Sequence, residues 1–401
     1  MEPDVMEPDA MEPDAMEPDA MELVVASSIE AFTASEWNRL FPGELEDWSY
    51  YRATERAQLA GFAWLYFGVR VDSELRAAVP AFITDYRLDT TLDGRLRSVV
   101  AVLARAAPGL LRPRMLALGS PVGETCHAGY APRSTQADRL RMLTLILDGC
   151  EAHAAKHGVR LLAVKDAGDA QSALWEWALT ARGMRRQPGL ATATLALPYT
   201  TLDDYLATLS HATRKNMRRK LRSRAALRIE WRHGLDGIRD AVARLYRNTL
   251  ERAAMQLEEL TPEFFESVLV ELGERASCVC YWLDDTLVAF NLVLHDGERM
   301  IDKYIGMDYR HARNLNLYYV SWMENVRFAI EHRIPTYQSG QGLPQEKLRM
   351  GSTLTPNWLW YRHRNRLIDG TMKTAEHMLG LHRKPRSTEP SADAALRRLH
   401  A

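Results

Sequence analysis

The sequence is poor in cysteine. Its 401 residues contain four, Cys126, Cys150, Cys278 and Cys280, too few for the disulfide framework of a secreted protein of this length. No Cys-x-x-Cys pair occurs, and we find no pattern that supports a metal site. We therefore expect structural cysteines and no bound metal.

Long apolar runs are also missing. The most apolar long stretch, 99–118, is interrupted by Arg105, Pro108, Arg112, Pro113 and Arg114, whereas a membrane helix needs about 20 predominantly apolar residues. The N-terminus has no basic stretch followed by an apolar one, so we expect no signal peptide. The chain is predicted to be cytoplasmic and without a membrane span.

Net charge is close to zero, with 51 Lys and Arg against 52 Asp and Glu. This balance hides an asymmetry, because residues 1–20 are four copies of an acidic pentapeptide with eight acids and no base. The repeats combine proline and acids with little apolar content, which predicts disorder over 1–21. The remaining chain is mildly basic, which favours an anionic partner.

The globular part contains two halves with the same predicted order of elements. A hairpin with an acidic turn, a third strand, a long helix and a further strand occur over 64–164 and again over 278–339. Such an order predicts an internal duplication of an α/β (α+β) domain, each copy a mixed sheet flanked by helices. We place the first domain at 22–198, the second at 199–366, and a C-terminal helix and flexible tail at 367–401.

The most distinctive segment is basic. Seven bases and no acid occur within 214–224, and Ser210 or Thr213 can cap a helix there. Arg214, Arg218 and Arg222 recur at helical spacing, so their charges lie along one side. Either acids elsewhere in the fold pair with these bases, or the helix binds phosphate groups.

The segment from Ser210 to Arg222 resembles the opening of the second domain in FemABX-like aminoacyltransferases, which are built from two GNAT-like domains. Further on, the pattern Gly340-Gln341-Gly342, Lys347 and Met350-Gly351 looks like the family's loop and lysine signature, with Glu346 where tyrosine is usual. The resemblance covers roughly 35–365. It implies two tandem GNAT-like domains and transfer of an acyl or aminoacyl group to an amine.

One departure concerns the donor. GNAT enzymes that use CoA bind its pyrophosphate with a glycine-rich loop, whereas the segment 310–316 of this chain contains no glycine. FemABX-like relatives lose this loop and take aminoacyl-tRNA. We expect no tightly bound cofactor and an acyl donor as co-substrate, namely aminoacyl-tRNA, a carrier-protein thioester or acyl-CoA, with a preference for the two large donors.

Site residues follow from the motifs and from the resemblance. In the tRNA-dependent relatives a lysine at the position of Lys347 is thought to stabilise the oxyanion. Asp302 and Tyr304 alternate along a predicted strand, so we expect them on one face as further catalytic residues. There Asp302 accepts a proton from the nucleophilic amine or orients it, and Tyr304 holds either substrate. The predicted donor-binding residues are Arg214, Lys215, Arg218, Arg219, Lys220, Arg222, Arg310, Arg313 and Asn314, and the predicted acceptor-binding residues are Trp48, Tyr50 and Gln341.

The predicted function is formation of an amide bond by direct attack of a small-molecule amine on the donor's carbonyl, without a covalent enzyme intermediate. The alternative is a non-catalytic pair of GNAT-like domains whose basic helix binds RNA or a phosphorylated partner. DNA is not an expected partner, because neither a helix-turn-helix nor a zinc pattern accompanies the basic helix. The sequence does not identify the acceptor.

Overall fold

The computed structural model describes residues 21–86, 113–253 and 257–379. The predictions for the acidic repeat and for the tail beyond 379 lie outside these ranges. In the described part, two mixed sheets are flanked by helices, so the predicted fold class is confirmed.

The first sheet has the order β1-β2-β3-β4-β6-β15-β7, with the short β5 paired to β3. Its strands are β1 (Met21–Ala26), β2 (Phe62–Val71), β3 (Glu74–Asp85), β4 (Arg114–Leu118), β5 (Gly129–Tyr130), β6 (Leu161–Gly168), β7 (Arg185–Pro188) and β15 (Asn357–His363).

The second sheet has the order β14-β8-β13-β12-β11-β10-β9. Its strands are β8 (Thr192–Ala196), β9 (Arg228–Arg232), β10 (Ala276–Leu283), β11 (Thr286–His295), β12 (Arg299–Met307), β13 (Thr336–Gln338) and β14 (Thr353–Thr355).

The helices cover the sheets and connect their strands. They are α1 (Ala34–Leu40), α2 (Trp48–Arg56), α3 (Gln136–Lys156), α4 (Ser172–Thr180), α5 (Leu202–Thr208), α6 (His211–Lys220), α7 (Arg239–Leu250), α8 (Pro262–Leu272), α9 (Tyr309–Ala312), α10 (Leu317–Glu331), α11 (Pro344–Arg349) and α12 (Arg366–Leu379). Within the described ranges no helix is long and apolar enough to cross a bilayer.

The two halves repeat one motif. The parallel strands β4 and β6 are separated in the chain by α3, and the parallel strands β12 and β13 by α10. A parallel pair needs such a crossover, because a tight turn cannot return the chain in the same direction. The repeated order of elements predicted from the sequence therefore corresponds to a repeated topology.

Each sheet takes a strand from the other half of the chain. β15, near the C-terminus, pairs with β6 and β7 in the first sheet. β8, which ends six residues before α5 begins, pairs with β13 and β14 in the second. This reciprocal exchange ties the halves together by backbone hydrogen bonds.

Local sequence explains where several elements begin. Asp72 and Ser73 both have positive φ, 50° and 65°, as the tight turn between β2 and β3 requires. Thr135 and Asp138 form a capping box at the start of α3, which satisfies two backbone donors of its first turn. Pro262 occupies the first turn of α8, where its missing N–H costs no hydrogen bond.

Three hydrophobic clusters account for most of the core. One lies between the first sheet and α3 and α4, a second between the second sheet and α10. The third joins the halves, since α2 packs on α8 and Tyr50 and Leu45 belong to the same cluster as Phe264 and Phe290. The cluster of buried polar side chains around Lys347, described next, lies beside this third cluster.

Candidate active site

Lys347 is a buried lysine on α11. Only 4% of the residue is exposed, and its amine donates a hydrogen bond to the carbonyl of Ser339. Burial lowers the pKa of Lys347 to about 8, although the charges of Glu124 and Asp302 act in the opposite direction. A cation held this way can stabilise a developing oxyanion with little reorganisation.

Gly340 lets the chain pass close to this lysine. Its φ is +79°, and a Cβ placed on it would lie 3.2 Å from Oε1 of Glu124 and 3.8 Å from the amine of Lys347. A side chain here would be strained by the backbone conformation and crowd both groups. The glycine of the loop motif therefore allows a carboxylate from the first half to approach a lysine from the second.

Asp302 lies on β12 and accepts three hydrogen bonds. They come from Asn291 Nδ2 at 2.9 Å, Asn325 Nδ2 at 3.1 Å and the hydroxyl of Tyr337 at 3.0 Å. Burial raises the pKa of Asp302, while these donors and the charge of Lys347 lower it. Its carboxylate is thus held in one orientation near Lys347.

Tyr304 does not share a face with Asp302, so that prediction is wrong. Leu292 pairs with Tyr304 and the next residue, Val293, pairs with Asp302, which leaves Lys303 as the extra residue of a β-bulge. A bulge puts two residues opposite one and shifts the alternation of side chains. Asp302 faces α10, whereas Tyr304 packs in the cluster between the halves.

Tyr304 lies against aromatic rings on its own side of the sheet. Its ring is 5.7 Å from that of Phe264, edge to face, and 6.2 Å from that of Phe265. Burial raises the pKa of Tyr304 well above its ordinary value. Its hydroxyl hydrogen-bonds to Glu258, a carboxyl whose own pKa is raised by burial, so Tyr304 is a neutral donor at physiological pH.

Lys303 joins the second sheet to the first half of the chain. Its side chain is 1% exposed and forms an ion pair with Glu46. The same amine donates to the carbonyl of Val122 at 2.8 Å, and Lys165 on β6 donates to the neighbouring carbonyl of Gly123 at 2.8 Å. The loop of residues 121–124 therefore accepts hydrogen bonds from one lysine of each sheet.

Glu124 is at the end of this loop and was missed by the sequence analysis. Its carboxylate accepts a hydrogen bond from Gln338 Nε2 at 2.8 Å through Oε2, and no described residue donates to Oε1. Burial raises the pKa of Glu124. Its only sequence signal is an acid in the apolar segment that follows β4.

The predicted acceptor-binding residues separate into two places. Tyr50 donates to the carbonyl of Val122 at 2.9 Å, and Gln341 donates to the carbonyl of Glu124 at 3.0 Å. Both therefore contact the loop of residues 121–124. Trp48 instead donates through its indole N–H to the carbonyls of Ile29 and Phe32, and packs on a separate cluster.

The basic segment forms α6 and a following 3₁₀ turn. Ser210 caps the helix, and the exposed cations are Lys215, Arg218, Arg219 and Arg222. Arg214 donates to the carbonyl of Ala207 at 2.8 Å, and the amine of Lys220 lies 3.0 Å from the ring centre of Tyr319.

Arg224 and the second predicted donor-binding segment lie beside this helix. Arg224 makes a two-point ion pair with the buried Glu324 of α10, at 2.5 and 3.1 Å. Asn316 donates to the hydroxyl of Ser223 at 3.0 Å, which brings the 310–316 segment to the basic turn. There, Arg313 and Asn314 are exposed, while Arg310 pairs with Asp308.

No metal centre is evident in the described ranges, where no group of three or more His, Cys, Asp or Glu side chains is arranged to hold an ion. Around Lys347, the carboxylates of Glu124 and Asp302 instead act on a lysine. The arrangement offers a buried cation, two carboxylates of raised pKa and hydrogen-bond donors. These are the groups needed for acyl transfer.

The fold is that of a tandem GNAT protein. A solved structure of FemX matches with a TM-score of 0.56 at 13% identity, covering 85% of this chain and 98% of FemX. A tandem GNAT protein from the clavulanic acid biosynthesis pathway matches with a TM-score of 0.51 at 13% identity, covering 86% and 98%.

A family model identifies the chain more specifically. The FemAB-like family, described as peptidoglycan biosynthesis or recognition, matches residues 131–377. The chain belongs to this family, and the resemblance drawn from the basic segment and the lysine motif is confirmed. No curated protein matches the sequence.

Proposed function

We propose that this protein is an acyl or aminoacyl transferase that forms an amide bond. Membership of the FemAB-like family supports the class of reaction. The observation that carries the proposal is the position of Lys347, buried between the carboxylates of Glu124 and Asp302 with its pKa lowered to about 8. Buried groups with strongly perturbed pKa values are typical of functional sites.

In the proposed reaction the acceptor amine attacks the carbonyl carbon of the donor. The new C–N bond gives a tetrahedral intermediate whose oxyanion is stabilised by the ammonium group of Lys347. The bond to the leaving oxygen or sulfur then breaks, and the leaving group takes the proton that Glu124 has accepted from the amine. Asp302, held by three donors, orients Lys347 and keeps it charged.

The proton released by the attacking amine goes to Glu124 in this proposal. Asp302 is the weaker candidate, because a carboxylate that accepts three hydrogen bonds is a poorer base. Glu124 accepts one side-chain hydrogen bond, has an oxygen without a donor among the described residues and has a raised pKa. A base of raised pKa is better matched to an amine near neutral pH.

For the donor, the proposal is aminoacyl-tRNA or a carrier-protein thioester. Lys215, Arg218 and Arg219 are exposed on α6 and Arg222 on the 3₁₀ turn that follows it, and Arg313 and Asn314 are exposed on the adjoining segment. Arg218 has only a 3.4 Å ion pair with the exposed Asp203, which is worth little in water. Such a surface suits several phosphate groups better than one small cofactor.

The test combines identification of the donor with loss of one charge. Native mass spectrometry of the freshly purified protein should reveal tRNA or a carrier protein. Lys347→Met should then lower turnover by at least about 100-fold, the effect of one oxyanion donor, without weakening donor binding. Lys215→Met is the matched control and should affect donor binding rather than the chemical step.

The non-catalytic alternative makes the opposite prediction. If the protein only docks RNA or a phosphorylated partner through α6, Lys347→Met leaves the affinity for that partner unchanged. Donor binding with no turnover by the wild-type protein, over a panel of amines, would favour that alternative.

A further inference from the structure

A row of arginines lies at the end of the first sheet that is remote from the loop of residues 121–124. Arg114 begins β4, Arg160 precedes β6 and Arg364 follows β15. The backbone N–H of Arg160 donates to the carbonyl of Arg114 at 3.0 Å, and that of Arg364 to the carbonyl of Arg160 at 2.8 Å. The three residues therefore continue the strand register side by side, about 5 Å apart.

Within the described part of the chain, no acid forms an ion pair with these arginines. Arg114, Arg160 and Arg364 are exposed, and none of them forms an ion pair with a described residue. Arg364 donates through Nη1 to the carbonyls of Ala154 and Val159, at 3.3 and 3.1 Å. Its guanidinium group is thus anchored by backbone oxygens while its full charge remains available.

Beside the row lies a recess of about 520 Å³. Its lining includes the apolar Val159 and Ile368 and the polar side chains of Arg160, His363 and Arg364, and no carboxylate is among the lining residues. The backbone N–H of Asn365 donates to Nδ1 of His363 at 3.1 Å. Nδ1 of His363 also lies 3.3 Å from the carbonyl of Asn365, so either tautomer of the ring has a backbone partner.

Two acids lie nearby and do not neutralise the recess. Asp369 lines an adjoining smaller recess, but its carboxylate pairs with Arg185 at 2.6 Å and accepts the backbone N–H of His363 at 2.8 Å. Asp85 lies opposite Arg114 in the backbone pairing of β3 with β4. Both side chains are exposed, and they form no ion pair with each other.

We propose that this recess binds a phosphate group carried on a small organic body, either a soluble phosphate ester or the headgroup of a phospholipid. Guanidinium groups match phosphate oxygens in charge and geometry. The volume lies within the range of small-molecule sites, about 300 to 1,000 Å³, so it has room for more than the phosphate. Ile368, which is half-buried at the edge of the recess, gives the remainder of the ligand an apolar surface.

The site is separate from the proposed active site. Arg160 precedes β6, whereas Lys165, which donates to the loop that carries Glu124, is near its other end. At about 3.3 Å per residue the two ends are roughly 20 Å apart. The proposal does not depend on the acyl transfer reaction, and its test does not measure turnover.

The test uses Arg160→Glu in the full chain. The side chain of Arg160 makes no hydrogen bond or ion pair with a described residue, so the fold should be unaffected, which a thermal melt checks. The soluble probes are inorganic pyrophosphate and adenosine monophosphate, measured by calorimetry in low salt. The lipid probe is vesicles of phosphatidylcholine with phosphatidylglycerol, compared with pure phosphatidylcholine by co-sedimentation. Arg244→Glu, an exposed arginine without an ion pair on α7, is the matched control.

We expect Arg160→Glu to weaken binding of one class of probe by tenfold or more and Arg244→Glu to leave it unchanged. Arg160→Lys should fall between them, because it keeps the charge and loses the planar fork. Selective loss of pyrophosphate or nucleotide binding identifies a soluble ester, and selective loss of vesicle binding identifies a lipid. Absence of binding by the wild-type protein, or an equal effect of Arg160→Glu and Arg244→Glu, would overturn the proposal.

Discussion

The side-chain amide of Gln338 donates a 2.8 Å hydrogen bond to the carboxylate of Glu124, across 214 positions of the chain. Gln338 ends β13 in the second sheet, and Glu124 follows β4 in the first. Gln341 and Asn357 also donate to the backbone carbonyl of Glu124, at 3.0 and 3.1 Å. The second half of the chain thus fixes a carboxylate of the first half beside Lys347.

Replacement of Glu124 by glutamine should separate charge from structure. The amide can still accept the hydrogen bond from Gln338, so the melting temperature should change little. If Glu124 accepts the proton of the acceptor amine, kcat should fall by about 100-fold, within the usual range for loss of a general base. Steady-state kinetics with a saturating donor measure this, and full activity of Glu124→Gln would exclude the role.

Replacement of Glu46 by glutamine should chiefly lower the stability of the fold. It removes the carboxylate that pairs with Lys303, whose side chain is 1% exposed, and leaves a buried ammonium without its partner. Breaking a buried pair costs about 3 to 5 kcal/mol. Urea unfolding should show this loss, whereas Glu230→Gln, which breaks an exposed pair with Arg228, should change stability by less than about 1 kcal/mol.

The lowered pKa of Lys347 makes stability depend on pH. Its pKa is about 8 in the folded protein and 10.5 ordinarily. Between these values the unfolded chain holds a proton that the folded chain has released. The free energy of unfolding therefore rises with pH across this window, by up to about 3 kcal/mol from this group.

In the variant Lys347→Met, the free energy of unfolding should not show this rise with pH. The measurement is urea unfolding of wild type and variant at pH 7 and pH 10, with the difference between the proteins assigned to Lys347. The catalytic profile gives a second readout: if the ammonium form stabilises the oxyanion, kcat falls as pH increases through about 8. A rate that increases through this pH and depends on Lys347 would indicate that the lysine is a base.

Sequence patterns predicted the elements well because most are amphipathic and capped. The first predicted hairpin with an acidic turn is formed by β2 and β3, which turn at Asp72 and Ser73. The exchange of β8 and β15 was not predictable in this way. A short strand has the same alternation whichever sheet it joins, so only tertiary pairing decides the partner.

The candidate site was predicted in part for a similar reason. Lys347 is recognisable from the family motif, and Asp302 is recognisable as a polar residue in an apolar strand. The face of Tyr304 was predicted wrongly because the β-bulge at Lys303 shifts the alternation, and no turn residue or glycine signals it. Glu46 and Glu124 acquire their environment from contacts more than 200 positions away, which local patterns do not contain.

The last prediction concerns the basic helix and separates binding from stability. Arg218 and Arg219 are exposed; the first has a 3.4 Å ion pair to exposed Asp203 and the second a hydrogen bond to Asn216. Changing both to glutamate should therefore leave stability within about 1 kcal/mol. If the donor is tRNA, the same change should abolish its binding, and wild-type affinity should fall roughly 1,000-fold or more between about 50 and 200 mM salt.

Arg224→Glu is the matched variant in the same basic segment. It places a carboxylate against Glu324, which is 5% exposed, so it should destabilise the fold by several kcal/mol. Circular dichroism melts and filter binding, measured on both proteins, distinguish the two effects. A double variant at Arg218 and Arg219 that melts early and still binds the donor would show that the helix is a structural element rather than a phosphate-binding surface.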